Sequence, residues 1–416
     1  MRVILAAPGI RTEAGLVAAA ASAGLQVVRR PVDAADLLAV ASMEPSTPVI
    51  VGVDLPRMSL DVITRLDPAR RSVIGVFDTS HQREKLRAFG VVNLLECQTD
   101  PAETVAQIAG LLIPGEEEQS PTDDTSPDTD LWEHLVPTGQ GKLIAVWGPP
   151  GAPGRSTVTI ELAAELARKR QRTCIIDADT YAPALAMRLG VLDDVSGLIV
   201  ACRHADNGSL TTRTLLSATR LIDDRWYLLT GLGRSERWPD LRPAALERLW
   251  ASCRSTFDTT VIDLGSCLEA SQMPMTGLGM ERNAAARGAA VRADGVVVVT
   301  RPDALSVTRL LNGLPQMRDL VGDTPMRVVI THVERRDRRP TKLRDLLLQA
   351  GFDLPVTEIA LDTRAYSQAL NRGTTTRQVA PMARSRRAVR ELARALIEGW
   401  PRDGQRDRPV RQAAVA

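Results

Sequence analysis

Aromatic side chains are scarce: Phe, Trp and Tyr make up 3% of the 416 residues. That scarcity argues against a stacking platform for single-stranded nucleic acid, which needs repeated planar rings. Lysine is scarcer still. Only Lys85, Lys142, Lys169 and Lys342 occur, so 48 of the 52 basic residues are arginine. Four dispersed histidines offer no metal-ligand spacing, and the five scattered cysteines contain no C-x-x-C pair. An odd cysteine count, with no signal peptide at Met1-Arg2-Val3, leads us to expect a reduced, cytoplasmic protein. No apolar run approaches the roughly 20 residues of a membrane span. Any membrane association is therefore expected to be peripheral and to go through a partner.

What is present is a repeated alternation of short apolar runs with helical periodicity. The hydrophobic fraction of 44% and charged fraction of 25% are those of a globular protein, and the length suits two domains. In residues 1–113 the runs RVILAA, LQVVRR, TPVIVGV, SVIGVF and VVNLLE read as strands. Helical stretches near 11–23, 33–42, 59–66, 81–89 and 101–112 separate and follow them. Such β-α alternation predicts an α/β, doubly wound, flavodoxin-like domain with its sites at the carboxyl ends of the strands. Residues 114–140 hold eight acids and no Lys or Arg, a composition that predicts a disordered linker. Removing those eight charges from a net +2 leaves the rest of the chain at +10. From 141 to 400 the alternation resumes with LIAVW, RTCIID, RWYLLT, TTVIDLG, GVVVVT, MRVVIT and VTEIA as strands, which predicts a second, mostly parallel sheet. Residues 401–416 read as a disordered tail.

The second domain opens on KLIAVWGPPGAPGRSTVTIELAAELARKRQRTCIIDAD, from Lys142 to Asp179. An apolar strand, a Gly/Pro-rich turn and a helix starting at Arg155-Ser156-Thr157 together make a phosphate cradle. Small residues let backbone N–H groups point inward, and the helix dipole favours an anion. Asp177 and Asp179 end one strand run and Asp263 ends another, where an open parallel sheet gathers ligands. A Mg²⁺-bound polyphosphate needs one hydroxyl, one or two carboxylates and a group to orient water. Ser156, Asp263, Asp177 and Asp179 can fill those roles; taken singly, each acid is equally well read as a strand-end cap.

GPPGAPGRST, CIIDADTYAPALAMRLGV, VIDLG and ADGVVVVTRPDALSVTRLL resemble the MinD/ParA superfamily of deviant-P-loop ATPases. The loop's form and the preceding domain are most similar to the CpaE/TadZ branch, which includes septum-site-determining-like proteins of actinobacteria. The resemblance implies ATP and Mg²⁺ as cofactors. It also implies dimerisation across the nucleotide, and a role in positioning pilus-assembly or cell-division machinery at the pole or septum. Residue by residue, it implies that Gly148, Gly151, Ala152 and Gly154 form the loop and that Arg155 stands at the invariant lysine. It makes Ser156 the Mg²⁺ ligand, with Asp177 and Asp263 in the metal shell. Thr157 falls on the α-phosphate and Asp179 with Asp177 on the attacking water. Thr331 and His332 fall where adenine is read. The family's second lysine is replaced by Pro149 or Pro150, and prolines at 149, 150 and 153 remove N–H donors. Arg155 can still grip phosphate with its planar fork, so binding is expected to survive the replacement better than hydrolysis. A non-hydrolysing scaffold and a ParA-like DNA-partitioning protein are the alternatives.

The first domain resembles a response-regulator receiver, with Asp54 in VDLPRM at the phosphoacceptor place. The metal-binding acidic pair is replaced by Ala7, Pro8 and Gly9, and the lysine after the fifth strand by Cys97 and Gln98. The expectation is a pseudo-receiver used for docking or dimerisation, with Asp54 a turn residue. The amphipathic stretch 384–400 reads as the last helix of the domain. A membrane-binding helix, or nonspecific DNA contact through its arginines, is the other reading.

Overall fold

The computed structural model describes residues 2–10, 13–44, 47–66, 73–98, 100–112, 141–167, 171–191, 195–270 and 281–398. The expected linker 114–140 and tail 401–416 lie outside the described residues. The first unit has strands β1 (Arg2–Ala6), β2 (Gln26–Arg29), β3 (Val49–Val51), β4 (Val73–Phe77) and β5 (Asn93–Glu96). Between and after them run α1 (Glu13–Ser22), α2 (Ala34–Met43), α3 (Leu60–Leu66), α4 (Ser80–Ala88) and α5 (Pro101–Leu112). All neighbours pair in parallel in the order β2-β1-β3-β4-β5, the flavodoxin-like doubly wound order. The central strands β1, β3 and β4 are buried apolar runs because helices cover both faces, while the edge strands β2 and β5 are partly exposed.

The second unit carries β6 (Lys142–Trp147), β7 (Thr173–Ala178), β8 (Arg220–Asp223), β9 (Trp226–Leu229), β10 (Thr259–Leu264), β11 (Gly295–Thr300), β12 (Met326–Val333) and β13 (Val356–Ala360). Its helices are α6 (Arg155–Ala167), α7 (Leu185–Arg188), α8 (Gly197–Asp206), α9 (Thr212–Ala218), α10 (Pro243–Thr256), α11 (Ala284–Arg292), α12 (Ala304–Val321), α13 (Arg339–Gln349), α14 (Thr363–Asn371), α15 (Thr376–Val379) and α16 (Arg384–Glu398). The strand order is β13-β12-β11-β6-β10-β7-β9-β8. Seven strands are parallel; β8 is antiparallel to β9. The sequence pattern alone misses β8, because it is four residues long, three of them exposed, with only two apolar side chains. A tight turn at Asp224-Arg225, with Arg225 at φ 58°, folds it back onto β9.

The order reverses direction around β6, so the loop after β6 sits where a doubly wound sheet leaves a crevice. Helix α6 fills one face of the sheet and is buried from Val158 to Ala167. That burial includes two carboxylates, each with a partner. Glu161 accepts bonds from the backbone N–H and hydroxyl of Thr376 (2.8 and 2.5 Å), and Glu165 pairs with Arg386 Nε at 2.7 Å. Both partners come from the chain's last segment. Helix α16 packs on α6 and β13, and its apolar stripe of Val389, Leu392 and Leu396 is buried in their core. The stripe is therefore spent on the domain itself, as a last helix spends it, and not displayed to a membrane. Among the described residues no helix is long and apolar enough to cross a membrane.

The two units touch. Helix α3 packs on α10 and α8, Ala244 of α10 joins the first unit's core, and Arg242 bridges Ser59 (3.2 Å) and Asp206 (3.3 Å).

Burial raises the Glu161 carboxyl above its ordinary value, the Thr376 bonds opposing it. The folded chain then holds this proton more tightly than the unfolded one. The associated stability is full below the unfolded value near 4.5 and falls as pH rises through the folded value. Glu161→Gln, which keeps an acceptor for Thr376, is expected to flatten this part of the profile. Melting temperatures of wild type and variant between pH 4 and 8 check it: the gap should move in favour of the variant as pH rises.

Candidate nucleotide site

The loop between β6 and α6 is built to come close to its neighbours. Gly151 (φ +75°) and Gly154 (φ +100°) take conformations that cost other residues strain. Gly148 presses on the Val299 carbonyl, which a Cβ would approach at 2.6 Å. Within the loop Ala152 N–H donates to the Pro149 carbonyl (3.0 Å). From outside, the Thr331 hydroxyl lies 3.1 Å from the Pro153 carbonyl and 3.1 Å from that of Thr300. Thr331 therefore braces the loop. His332 next to it holds φ 57° at an irregularity in the β12–β13 pairing, with Nδ1 3.0 Å from the Thr331 hydroxyl.

Arg155 opens α6 and points into the acids. Its Nη2 is paired with Asp179 Oδ2, and its Nε lies 3.3 Å from Asp263 Oδ1. The side chains of Arg155, Asp179 and Asp263 are 14%, 6% and 1% exposed, so the contact is screened little by water. Thr159, one turn along α6, also donates to Asp263 Oδ1 (3.1 Å). The Ser156 hydroxyl acts on the same carboxylate and, with Arg155 and Thr159, opposes the upward pull of burial on its pKa. Asp263 Oδ2 nonetheless stays buried without a well-formed hydrogen bond.

Asp177 faces Asp263 across the β7–β10 pairing. Its Oδ2 accepts from Ala184 N–H (2.8 Å) and Leu185 N–H (2.9 Å), so it caps α7. Burial first, and then the Asp263 charge, pushes its carboxyl above the ordinary range. Asp179 Oδ1 takes the N–H groups of Tyr181 (2.9 Å) and Ala182 (3.1 Å). Tyr181 is fixed in turn under the Arg282 guanidinium, 4.1 Å from its ring centroid. Asp177 and Asp179 are thus held by backbone N–H groups, and Asp263 by Thr159, in contacts separate from Arg155.

Arg155, Ser156, Asp177, Asp179 and Asp263 come together at one end of the sheet. Gly148, Gly151, Ala152 and Gly154 form the loop above them, and Thr331 and His332 flank it. Sequence reasoning missed two arginines. Arg188 Nη1 donates to the Thr157 hydroxyl at 3.1 Å. Arg309 Nη1 donates to the Pro150 carbonyl at 3.0 Å and occupies the space a Gly151 side chain would need. Both look like ordinary helix-face arginines in a chain with 48; only three-dimensional proximity distinguishes them.

No protein-family model matches this chain, and no curated protein matches it. Solved structures do. A ParA family ATPase from Chlorobium tepidum TLS is similar over 61% of this chain and 98% of its own, at 16% identity and TM-score 0.51. The cell division ATPase MinD of Pyrococcus furiosus aligns over 62% of this chain and 98% of its own, at 21% identity and TM-score 0.49. The septum site-determining protein MinD of Pyrococcus horikoshii OT3, complexed with Mg-ADP, covers 62% and 96%, at 19% identity and TM-score 0.48. The likeness to the ParA family ATPase is one of fold, an α/β unit with a mostly parallel sheet.

Asp177 supplies two acceptor bonds to the start of α7, and an amide oxygen at the same place keeps an acceptor. Asp177→Ala is expected to be less stable than Asp177→Asn by about 1–3 kcal/mol, the cost of leaving buried donors unpaired. Urea unfolding of the two variants checks it.

Proposed function

We propose that this chain is a nucleotide-switched positioning protein of the ParA/MinD type. It binds ATP with Mg²⁺, dimerises in response, and positions pilus-assembly or division machinery of the CpaE/TadZ kind. The observation that carries this reading is the glycine loop at the N-terminus of α6, facing acids at the carboxyl ends of β7 and β10, in a ParA-type fold. Ser156, Asp263 and Asp177 are hard oxygen donors of the kind Mg²⁺ takes, Asp177 with one oxygen already accepting two backbone N–H groups. The buried, unpaired Asp263 Oδ2 is an acceptor in search of a partner. Among the described residues no three ligating side chains are arranged to hold a metal alone. An ion here would take one or two carboxylates from the chain and complete its shell with water, or with phosphate when a nucleotide is present. When bound, the metal neutralises phosphate charge. Arg155 and the backbone N–H groups that open α6 bind phosphate, Arg309 covers the loop and Arg188 orients Thr157.

A second reading is a nucleotide-binding scaffold without turnover, favoured by the commitment of the Arg155 fork to Asp179 and Asp263. The first unit suits docking in either case. Asp54 accepts from Gln82 Nε2 at 2.8 Å, no acid stands at residues 7–9, and α3 is engaged with α10. We read it as a pseudo-receiver.

Equilibrium binding of labelled ATP to wild type, Arg155→Lys, Arg155→Ala and Arg309→Ala tests the proposal. Wild type and Arg155→Lys should bind, Arg155→Ala should weaken by about tenfold or more, the worth of a charged hydrogen bond, and Arg309→Ala by less. A wild type that binds no ATP, or sediments as the same species with and without saturating Mg-ATP, overturns the switch.

A further inference from the structure

Carboxylates buried together need a positive partner, and the identity of that partner decides what else can enter. Here the partner is part of the chain. Arg155 uses two nitrogens of its guanidinium, Nη2 toward Asp179 and Nε toward Asp263. A lysine ammonium is a compact charge on a flexible stem, without separate donor nitrogens fixed in one plane. We propose that Arg155 is a tethered counter-ion that keeps divalent cations out of the acid cluster until a polyphosphate draws the guanidinium away.

The acids are organised to outlast Arg155. Asp179 is held by the N–H groups of Tyr181 and Ala182, Asp177 by those of Ala184 and Leu185, and Asp263 by Thr159. When the guanidinium turns away, these oxygens stay where they are. Asp263 Oδ2, on a side chain only 1% exposed and without a well-formed hydrogen bond, is the group most in need of a new cation. While Arg155 is in place, an incoming divalent ion meets a fixed positive charge against the same oxygens. The guanidinium has a rival destination close by. Arg155 is the first residue of α6, where the loop and helix N-terminus favour an anion, so a triphosphate competes for the same fork. Metal entry then follows nucleotide entry. Only the release step rests on the proposed nucleotide reading; the exclusion step stands without it.

Mn²⁺ is a paramagnetic probe for this cluster. Its binding to the full chain is measured by electron paramagnetic resonance in wild type, Arg155→Ala and Arg155→Gln, each with and without a non-hydrolysable ATP analogue. Circular dichroism checks the fold, and Arg155→Gln, which keeps hydrogen-bonding atoms without the charge, serves if the alanine variant fails to fold. Without nucleotide, the folded variant should bind Mn²⁺ at least tenfold more tightly than wild type, and adding Asp263→Asn should abolish that gain. Wild type should gain a comparable affinity on addition of nucleotide. If wild type alone binds Mn²⁺ as tightly as the variants, or the folded variants bind none, the tethered counter-ion is refuted, whatever wild type does with nucleotide. If the variants bind Mn²⁺ but the analogue neither binds wild type nor raises its Mn²⁺ affinity, exclusion stands and the nucleotide reading fails.

Discussion

Three strand-end acids lie within one buried corner, and a single guanidinium answers two of them, Asp179 and Asp263. Most of the second unit's construction bears on where that guanidinium sits. Arg155 begins α6, so its position is the position of α6, and α6 is fixed along its length. Thr331 braces the loop before it. Glu161 and Glu165 tie its middle to Thr376 and Arg386, from a segment more than 200 residues away in sequence. Breaking a buried pair such as Glu165–Arg386 by removing one partner costs about 3–5 kcal/mol. The helix is therefore a poor candidate for sliding. Any change at the acids has to be a rotation of the Arg155 side chain against a stationary frame.

The same accounting explains the C-terminal helix. Its sequence has an apolar side and an arginine side, a pattern that suits either a core or a membrane surface. Val389, Leu392 and Leu396 are consumed by α6 and β13, and Arg386 of the opposite character is consumed by Glu165. The helix thereby closes the sheet face behind the phosphate loop. Its contribution to the site is mechanical: it holds the far end of α6 in place.

Much of this was legible in the residues. Alternating apolar runs and helical stretches placed the five strands of the first sheet and seven of the second, because parallel strands covered on both faces are continuous apolar runs with little ambiguity. The glycine loop and the acids at 177, 179 and 263 were readable for a related reason: a parallel sheet delivers strand ends to one edge. The edge strand β8 escaped notice because a short, solvated hairpin arm needs no apolar run. Arg188, Arg242 and Arg309 escaped because nothing local separates an arginine that reaches across the fold from one that reaches into water. The pairing of Arg155 with Asp179 and Asp263 belongs to the same category. Its partners lie 24 and 108 residues away, and only the folded sheet makes them neighbours.

The phosphate loop itself illustrates how far internal contacts have replaced general-purpose donors. Prolines at 149, 150 and 153 remove three N–H groups, yet they also fix φ and lower the entropy the loop loses on ordering. The carbonyls of those same three residues are each engaged, by Ala152 within the loop and by Arg309 and Thr331 from outside it. A loop held this way keeps its shape by its own bonds. Such a loop is preorganised for an anion, since binding does not have to supply the ordering. With fewer N–H groups to offer, the proposed anion would lean more heavily on guanidinium groups, and one of them, Arg155, is already engaged by the acids. On that reading, charge neutralisation inside the corner and anion binding above it draw on the same side chain.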